Sequence, residues 1–450
     1  MDVNRLGTEK ISKLLWEYSI PAITGTLVYI LYNIVDRIFI SFGLGRLAIA
    51  GMSITLPIFT FILAISLFIG VGSGVLISIN IGAKKVDVAE RVLGVSMLLF
   101  IGVGFIFSVL GTKYLNEILK LFGATKENII YAKDYMKVIF IAAPFQFLSI
   151  GLNNIIRGEG SPKVAMKMNI IGAIINIVLD PILIFTLHLG IKGAAIATIV
   201  ANVVVAFFQL KHFLVGNSKI KLKKENIVLD LDIIKKISKV GISPFTMQLS
   251  NSIVVIFINK SLNIYGGDIA IAAYGIINSI TVLLYMPIVG INQGSQPILG
   301  YNYGAEKFHR VRETYIKSIG IAFLITIVGF ILIMFFPSLL VDPFIKNDLE
   351  LKLLTIKAIR IMFSMVFLLG INTIGSSYFQ SIGRAKITAG INIFKQLILM
   401  LSFIYILPKK EGLLGIWESV PLSEGITFLV VIFFVMRELK YLKGVSKYVD

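Results

Sequence analysis

The chain has 450 residues, of which 56% are hydrophobic and only 15% charged, with a mean hydropathy of +0.88. A soluble protein of this length carries about a quarter charged residues, so the composition excludes a soluble globular protein. Lys and Arg outnumber Asp and Glu by 43 to 25, and there is no cysteine, which excludes disulfides and thiolate metal sites.

Uncharged apolar runs recur along the chain, Val92–Thr112 among them. Crossing a bilayer takes ~20 apolar residues, and helices are the structures that such non-alternating runs adopt. We therefore predict an all-α integral membrane protein with twelve transmembrane helices. Charged and Gly- or Pro-rich boundaries place them near 14–42, 50–80, 91–112, 132–156, 164–187 and 191–214, and near 235–262, 270–300, 311–336, 352–380, 386–407 and 415–438.

The basic residues indicate the orientation of the chain. An even number of helices puts both termini on one side, and the loops of that side carry roughly twice the Lys and Arg of the other, most densely over 211–239. The positive-inside rule predicts cytoplasmic termini in the cell (inner or plasma) membrane, so the excess charge is not a sign of nucleic-acid binding. The lysines of that segment either are solvated or contact anionic lipid.

The two halves of the chain repeat each other at an offset of about 222–223 residues. The matched positions are Pro21 with Pro244, Gly72 with Gly294, Gly82-Ala83 with Gly304-Ala305, Gly160 with Gly383, Asn169 with Asn392, and Gly190 with Gly412. Repeats with an even number of helices enter the membrane from the same side, so we expect two six-helix bundles related by a pseudo-twofold axis along the membrane normal. The predicted division is an N-terminal bundle over 1–218, a cytoplasmic basic linker over 219–234 and a C-terminal bundle over 235–450.

Several motifs in this order resemble the MATE (multidrug and toxic compound extrusion) family across essentially the whole chain. They are Tyr32–Ile40 in the first helix, Gly82-Ala83, Arg157–Gly160, Asn176–Pro181, Gln293–Pro297 with Tyr303–Ala305, and Gly412–Trp417. The resemblance implies a cation-coupled antiporter that exports amphipathic organic cations in exchange for H⁺ or Na⁺. It also implies rocker-switch alternating access, with no other cofactor.

Four polar residues lie at one predicted depth in the first bundle. Asp36 and Asp180 each lie about seven residues, roughly 10 Å, from the outer ends of the first and fifth helices. Asn176 is one turn from Asp180 on the same face, and Thr198 lies equally deep in the sixth helix. Charges at such depth are costly and therefore are functional candidates.

These four residues suit a coupling cation. Carboxylate, amide and hydroxyl oxygens are ligands for Na⁺, and Pro181 leaves the carbonyl of Ile177 without its helical donor. Two close carboxylates could instead hold a proton, so the residues alone leave Na⁺ and H⁺ open. The four positions also match the cation site of the MATE subgroup that couples in its N-terminal half.

The second half provides an internal comparison. At the repeat offset its residues are Asn259, Leu399, Phe403 and Val420, and none of them is a carboxylate. An alternative role for Asp36 is pairing with Arg37, but adjacent helical residues point about 100° apart. The seventh helix lacks the acid of another MATE subgroup, which argues against a second coupling site there. Glu424 either attracts a cationic substrate or pairs with Lys395.

Aromatic, Met and polar side chains are candidates for contacting substrate, because adaptable surfaces of this kind bind flat cations. The set is Tyr32, Met52, Phe147, Gln248, Asn251, Tyr274, Met286 and Glu424. The alternative for each is ordinary packing or lipid contact. In the same way, the glycines of Gly70–Gly74 are better explained by close helix packing than by a dinucleotide loop.

The predicted function is multidrug efflux, and the partners are small organic substrates and the lipid bilayer, with the protein acting as a monomer. A lipid-linked oligosaccharide flippase of related architecture is the alternative, although such a protein would favour basic rather than acidic groups in its cleft. A membrane enzyme is disfavoured, because the sequence has no nucleophile–base or metal-ligand pattern.

Overall fold

The computed structural model describes residues 3–345 and 348–449, with side chains at these positions except 3–4, 33, 41–47, 49 and 446–449. The described residues form sixteen α-helices and a few short 3₁₀ and π segments. In the first half they are α1 Ile11–Gly82, α2 Val86–Lys113, α3 Leu115–Leu121, α4 Ile129–Ile141, α5 Ala143–Gly158, α6 Pro162–Pro181 and α7 Ile191–Leu214. In the second half they are α8 Leu231–Gly304, α9 Phe308–Phe335, α10 Pro337–Val341, α11 Leu349–Met362, α12 Leu369–Ser381, α13 Ala385–Ile393, α14 Leu401–Ile406, α15 Pro408–Glu411 and α16 Leu413–Val449.

The predicted set of transmembrane helices is confirmed. Within the described residues, nine helical segments are long and apolar enough to cross a membrane, and two bent pairs, α4 with α5 and α11 with α12, add two more spans. The segment Leu231–Gly304 contains two of the predicted helices, separated by non-helical backbone at Gly267. The described residues therefore contain twelve spans, six in each half of the sequence.

The chain folds as two compact units. One unit contains Ile20–Phe245 together with the residues before Gly7, and the other contains Gly7–Ser19 and the chain from Thr246 onward. Each unit thus takes the start of one helix from the opposite half of the sequence. The exchanges occur next to Pro21 and Pro244, which are equivalent prolines of the repeat.

The repeat is visible in the backbone. Positive φ angles recur at matched positions: Lys84 and Glu306 both have φ +58°, Gly190 and Gly412 have +57° and +59°, and Gly160 and Gly383 have +98° and +82°. Most residues avoid this region because Cβ meets the backbone there. The same turns therefore close corresponding helices in the two units.

Glycines allow close helix packing in the first unit, as the sequence predicted. A Cβ atom at Gly158 would lie 2.4 Å from the carbonyl oxygen of Gly74, and one at Gly70 would lie 2.9 Å from that of Gly151. The second span of α1 therefore packs backbone to backbone against α5.

Candidate functional site

The structure brings together the four polar residues that the sequence singled out. The Asn176 side-chain amide donates to Asp180 Oδ1 at 3.5 Å and to Thr198 Oγ1 at 3.4 Å. The carboxyl groups of Asp36 and Asp180 contact each other. Asp36, Asn176 and Asp180 are 7%, 1% and 0% exposed. Three helices, α1, α6 and α7, thus contribute to one buried polar cluster.

Local helix geometry places these groups. Asn176 and Asp180 are four residues apart on α6, so their side chains lie on the same face. The α-helical hydrogen-bonding pattern of α6 ends at Pro181, and a π segment, Ile182–Thr186, follows directly. Proline cannot donate to the carbonyl of Ile177, and π segments inside helices are frequent at functional sites. The backbone beside the cluster is therefore irregular.

Three oxygen atoms in the cluster have no donor among the described residues. They are Asp36 Oδ1, Asn176 Oδ1 and Asp180 Oδ2. A buried polar atom without a partner is costly, so three such acceptors in one cluster call for a proton or a cation. Carboxylate and amide oxygens are the ligands that a hard cation prefers.

Comparison with the other buried acids also indicates that this cluster needs a proton or a cation. Six Asp and Glu residues are buried in the described part of the chain. Four of them pair with a basic side chain: Glu90 with Lys223, Glu159 with His212, Glu424 with Lys395, and Glu438 with Arg384. Asp36 and Asp180 contact each other instead. Two carboxylates in contact cannot both stay ionised cheaply without a cation.

Arg37 does not join Asp36 in the buried cluster, although its charge acts on the Asp36 carboxylate. Arg37 is exposed, whereas Asp36 is buried, because adjacent helical residues point in different directions.

Tyr135 of α4 is a member of the cluster that the sequence reading missed. Its ring is buried, its hydroxyl hydrogen-bonds with Thr198, and it lies near both carboxylates. An aromatic residue at helical spacing usually only packs, so the pattern gave no reason to choose it. One signal was present: at the repeat offset the second half has Ala358, the same asymmetry that marks Asp36 and Asp180.

The second unit encloses a cavity of about 400 Å³. Three of the residues predicted to contact substrate line it, namely Asn251, Tyr274 and Glu424. The Glu424 carboxylate forms an ion pair with the Lys395 ammonium. Of the two roles considered for Glu424, the structure therefore shows the pairing with Lys395.

The other predicted contact residues lie elsewhere. Phe147 is fully buried and packs edge-to-face on Phe107, with ring centroids 5.3 Å apart, and Met286 is 4% exposed. Tyr32 packs edge-to-face on Tyr29 at 5.2 Å, while Met52 and Gln248 are half-buried.

No group of three or more His, Cys, Asp and Glu side chains that could hold a metal ion occurs among the residues that the structure describes.

Comparison with known proteins agrees with this architecture. The family model MatE matches residues 21–182 and 240–406, which is well over half of the chain. The multidrug export protein MepA of Staphylococcus aureus (strain MRSA252) is 28% identical over 436 residues, covering 95% of this chain and 94% of MepA.

Solved structures match over nearly the whole length. A multidrug resistance MATE family transporter of the MOP superfamily, in an outward-facing conformation, has a TM-score of 0.91 at 28% identity, with 98% of this chain and 99% of that chain covered. A MATE structure in the bent conformation has a TM-score of 0.93 at 28% identity, with 99% of each chain covered. The chain therefore belongs to the MatE family of multi-pass membrane transporters.

Proposed function

We propose that the protein is a multidrug efflux antiporter that exchanges organic compounds for H⁺ or Na⁺ by alternating access. The observation that carries the proposal is the contact between Asp36 and Asp180, two buried carboxylates without a basic partner. One oxygen of each carboxylate and the side-chain oxygen of the neighbouring Asn176 lack a donor. The names of the similar proteins, multidrug export protein and multidrug resistance transporter, favour drug-like organic substrates.

The coupling ion acts in this proposal by neutralising the carboxylate pair. A proton or Na⁺ that enters the cluster removes the repulsion between Asp36 and Asp180, and Na⁺ would also take the oxygen atoms of Asn176 and Thr198. Neutralisation draws the first span of α1 towards α6 and α7 and changes their packing. That change favours the state that releases substrate outward.

The energy source is the ion gradient across the cell membrane. One charge that moves through a potential of 100 mV supplies ~2.3 kcal/mol, and a concentration gradient of the ion adds to this. We propose that both termini are cytoplasmic, as the distribution of Lys and Arg indicates, and that a single chain carries out the whole cycle, since the carboxylate cluster is built from one chain.

The test is ion-driven efflux of a fluorescent organic cation from vesicles that contain the purified protein. A pH gradient and a Na⁺ gradient are imposed separately. We expect one of them to drive transport, and we expect Asp36→Asn and Asp180→Asn each to lower the driven rate at least about tenfold, because a neutral amide cannot exchange a cation at these positions.

Asp134→Asn is the matched control. Asp134 belongs to the same unit, and its half-exposed carboxylate pairs with Lys192 at 3.2 Å rather than with a member of the cluster, so this variant should transport at the normal rate. Normal ion-driven transport by Asp36→Asn or Asp180→Asn would refute the mechanism. A protein that responds to neither gradient would favour a flippase instead.

A further inference from the structure

The cavity in the second unit contains two formal charges, one of each sign. Lys395 comes from the π segment Phe394–Met400 and Glu424 from α16. The side chains of Lys395 and Glu424 are 19% and 11% exposed. The other residues that line the cavity are uncharged. The lining therefore has zero net charge and a strong local dipole.

The ion pair is held in place mainly at its carboxylate end. The Asn372 amide donates to Glu424 Oε2 at 2.7 Å and to the Glu424 backbone carbonyl at 3.1 Å. Asn372 itself is 4% exposed, and its Oδ1 has no donor among the described residues. Glu424 is thus positioned by Asn372 of α12, and Asn372 Oδ1 remains available beside it as an acceptor. The Lys395 ammonium, in contrast, is held at the end of a flexible side chain.

The walls of the cavity are amphipathic. Asn278, Gln396 and Asn251 provide amide groups, and Gln396 donates to Asn251 at 2.8 Å. Met362 and Phe363 belong to the apolar part of the lining. A volume of about 400 Å³ lies within the range of small-molecule sites, and Met and aromatic walls adapt to varied apolar bodies.

The charges decide which ligand can enter. A buried ion pair that loses one partner leaves an uncompensated charge, which is strongly unfavourable. A ligand with only a cationic group would take Glu424 and leave Lys395 unpaired, and a ligand with only an anionic group would do the reverse. A zwitterion can pair with both at once. Opening the Lys395–Glu424 pair is therefore compensated best by a ligand that carries both charges.

We propose that this cavity is a binding site for amphipathic zwitterions, in which Glu424 takes the cationic group of the ligand and Lys395 takes its carboxylate. The proposal rests on the proposed export of organic compounds, for which it names a substrate class. Its test measures equilibrium binding without any ion gradient, so that it can fail or succeed independently of ion coupling at Asp36 and Asp180.

The probes are rhodamine B, a zwitterion, and its ethyl ester, a monocation with the same ring system. Binding of each to the purified full-length protein is followed by fluorescence anisotropy. We expect the wild type to bind rhodamine B at least about tenfold more tightly than the ester, the equivalent of one charge-assisted contact. Equal affinity for the two dyes would contradict the proposal.

Variants of the pair separate charge recognition from packing. Lys395→Met should weaken the binding of rhodamine B at least about tenfold and reverse the preference, so that the ester binds more tightly. The reason is that Glu424 is then the only charged group that faces the ligand. The exchange of the two charges, Lys395→Glu with Glu424→Lys, should restore the preference for rhodamine B. Lys317→Met, which removes a half-exposed lysine paired with Glu313 at 2.6 Å, is the control and should leave both affinities unchanged.

A double variant that lacks both charges tests whether misfolding explains the result of a single variant. Lys395→Met with Glu424→Gln removes both charges together, a change that folded proteins often tolerate. This variant should keep its apolar contacts with both dyes but lose the discrimination between them. An unchanged preference for rhodamine B in this variant, or in Lys395→Met, would overturn the proposal.

Discussion

Gly158 shows how a single residue determines the packing of two helices, the second span of α1 and α5. Its Cα lies so close to Gly74 that an added Cβ would meet three backbone atoms of Gly74 at 2.4–2.7 Å. Backbone atoms within a helix cannot move aside as a flexible side chain can, so the contact tolerates only hydrogen at this position.

Gly158→Ala should therefore destabilise the protein. Overpacking of this kind costs about 1–3 kcal/mol, which should lower the melting temperature of the purified protein by roughly 2 °C or more. Gly102→Ala is the matched control, because a Cβ at Gly102 of α2 meets nothing within 4 Å. Equal melting temperatures for the two variants would show that the helices can separate at Gly158 without cost.

Asp36 and Tyr135 show what could be predicted residue by residue. An acid deep in a transmembrane helix is costly wherever it points, so Asp36 could be recognised from the sequence. A tyrosine is tolerated in most environments, and its role depends on what its hydroxyl reaches. Only the packing of α4 against α7 shows that Tyr135 contacts Thr198.

The connection between α7 and α8 is held against the first unit by two buried acids. Glu90 accepts the backbone N–H of Lys221 at 2.9 Å and pairs with Lys223 at 2.6 Å. Glu159 accepts hydrogen bonds from His212 and from Ser218. The lysine-rich sequence over 211–239 predicted a solvated or lipid-bound segment, whereas the structure shows that part of it is fixed by carboxylates of α2 and of the end of α5.

Glu90→Gln should loosen this connection. The hydrogen bond and charge of Glu90 raise the pKa of Lys223, so the lysine is protonated at neutral pH and the pairing is lost only as the pH rises through that raised pKa. An amide removes the charge, and we expect trypsin to cut after Lys221 and Lys223 several-fold faster, because cleavage requires local opening.

Glu225→Gln is the control for this experiment, since Glu225 is an exposed acid of the same connection. It should be cut at the rate of the wild type under native conditions. If Glu90→Gln is also cut at that rate, the connection is held by contacts other than those of Glu90.

At the scale of the whole molecule, the two units share a backbone design but differ in chemistry. The turns at Gly160 and Gly383 have φ angles of +98° and +82°. The first unit has a contact between two buried acids, at Asp36 and Asp180, while the described part of the second unit has the Lys395–Glu424 pair in its cavity. Equivalent scaffolds therefore hold different polar groups.

Gly160→Ala and Gly383→Ala should accordingly have similar effects on stability. An L-residue at such φ costs about 1–2 kcal/mol, so both variants should melt at lower temperature than the wild type and within a few degrees of each other. Thermal melting of the two purified variants measures this. A large loss in only one of them would show that the two turns do not play equivalent structural roles.

The class of the protein, its twelve helices, the repeat and the acids of the candidate site could all be predicted from the sequence. These features follow from local properties: a bilayer requires long apolar helices, positive φ requires glycine at most positions, and a carboxylate is costly in the membrane wherever it points. Each of these features can be recognised within one segment of the sequence or by comparing two segments.

Only the tertiary structure decided which polar groups are partners. It placed Asp36 against Asp180, Glu424 against Lys395, and Glu159 against His212, and these partners are separated in the sequence by 144, 29 and 53 positions. Sequence periodicity shows which face of a helix is polar but not which helix covers it. The partner decides whether a buried charge is neutralised within the protein or requires an ion or a ligand.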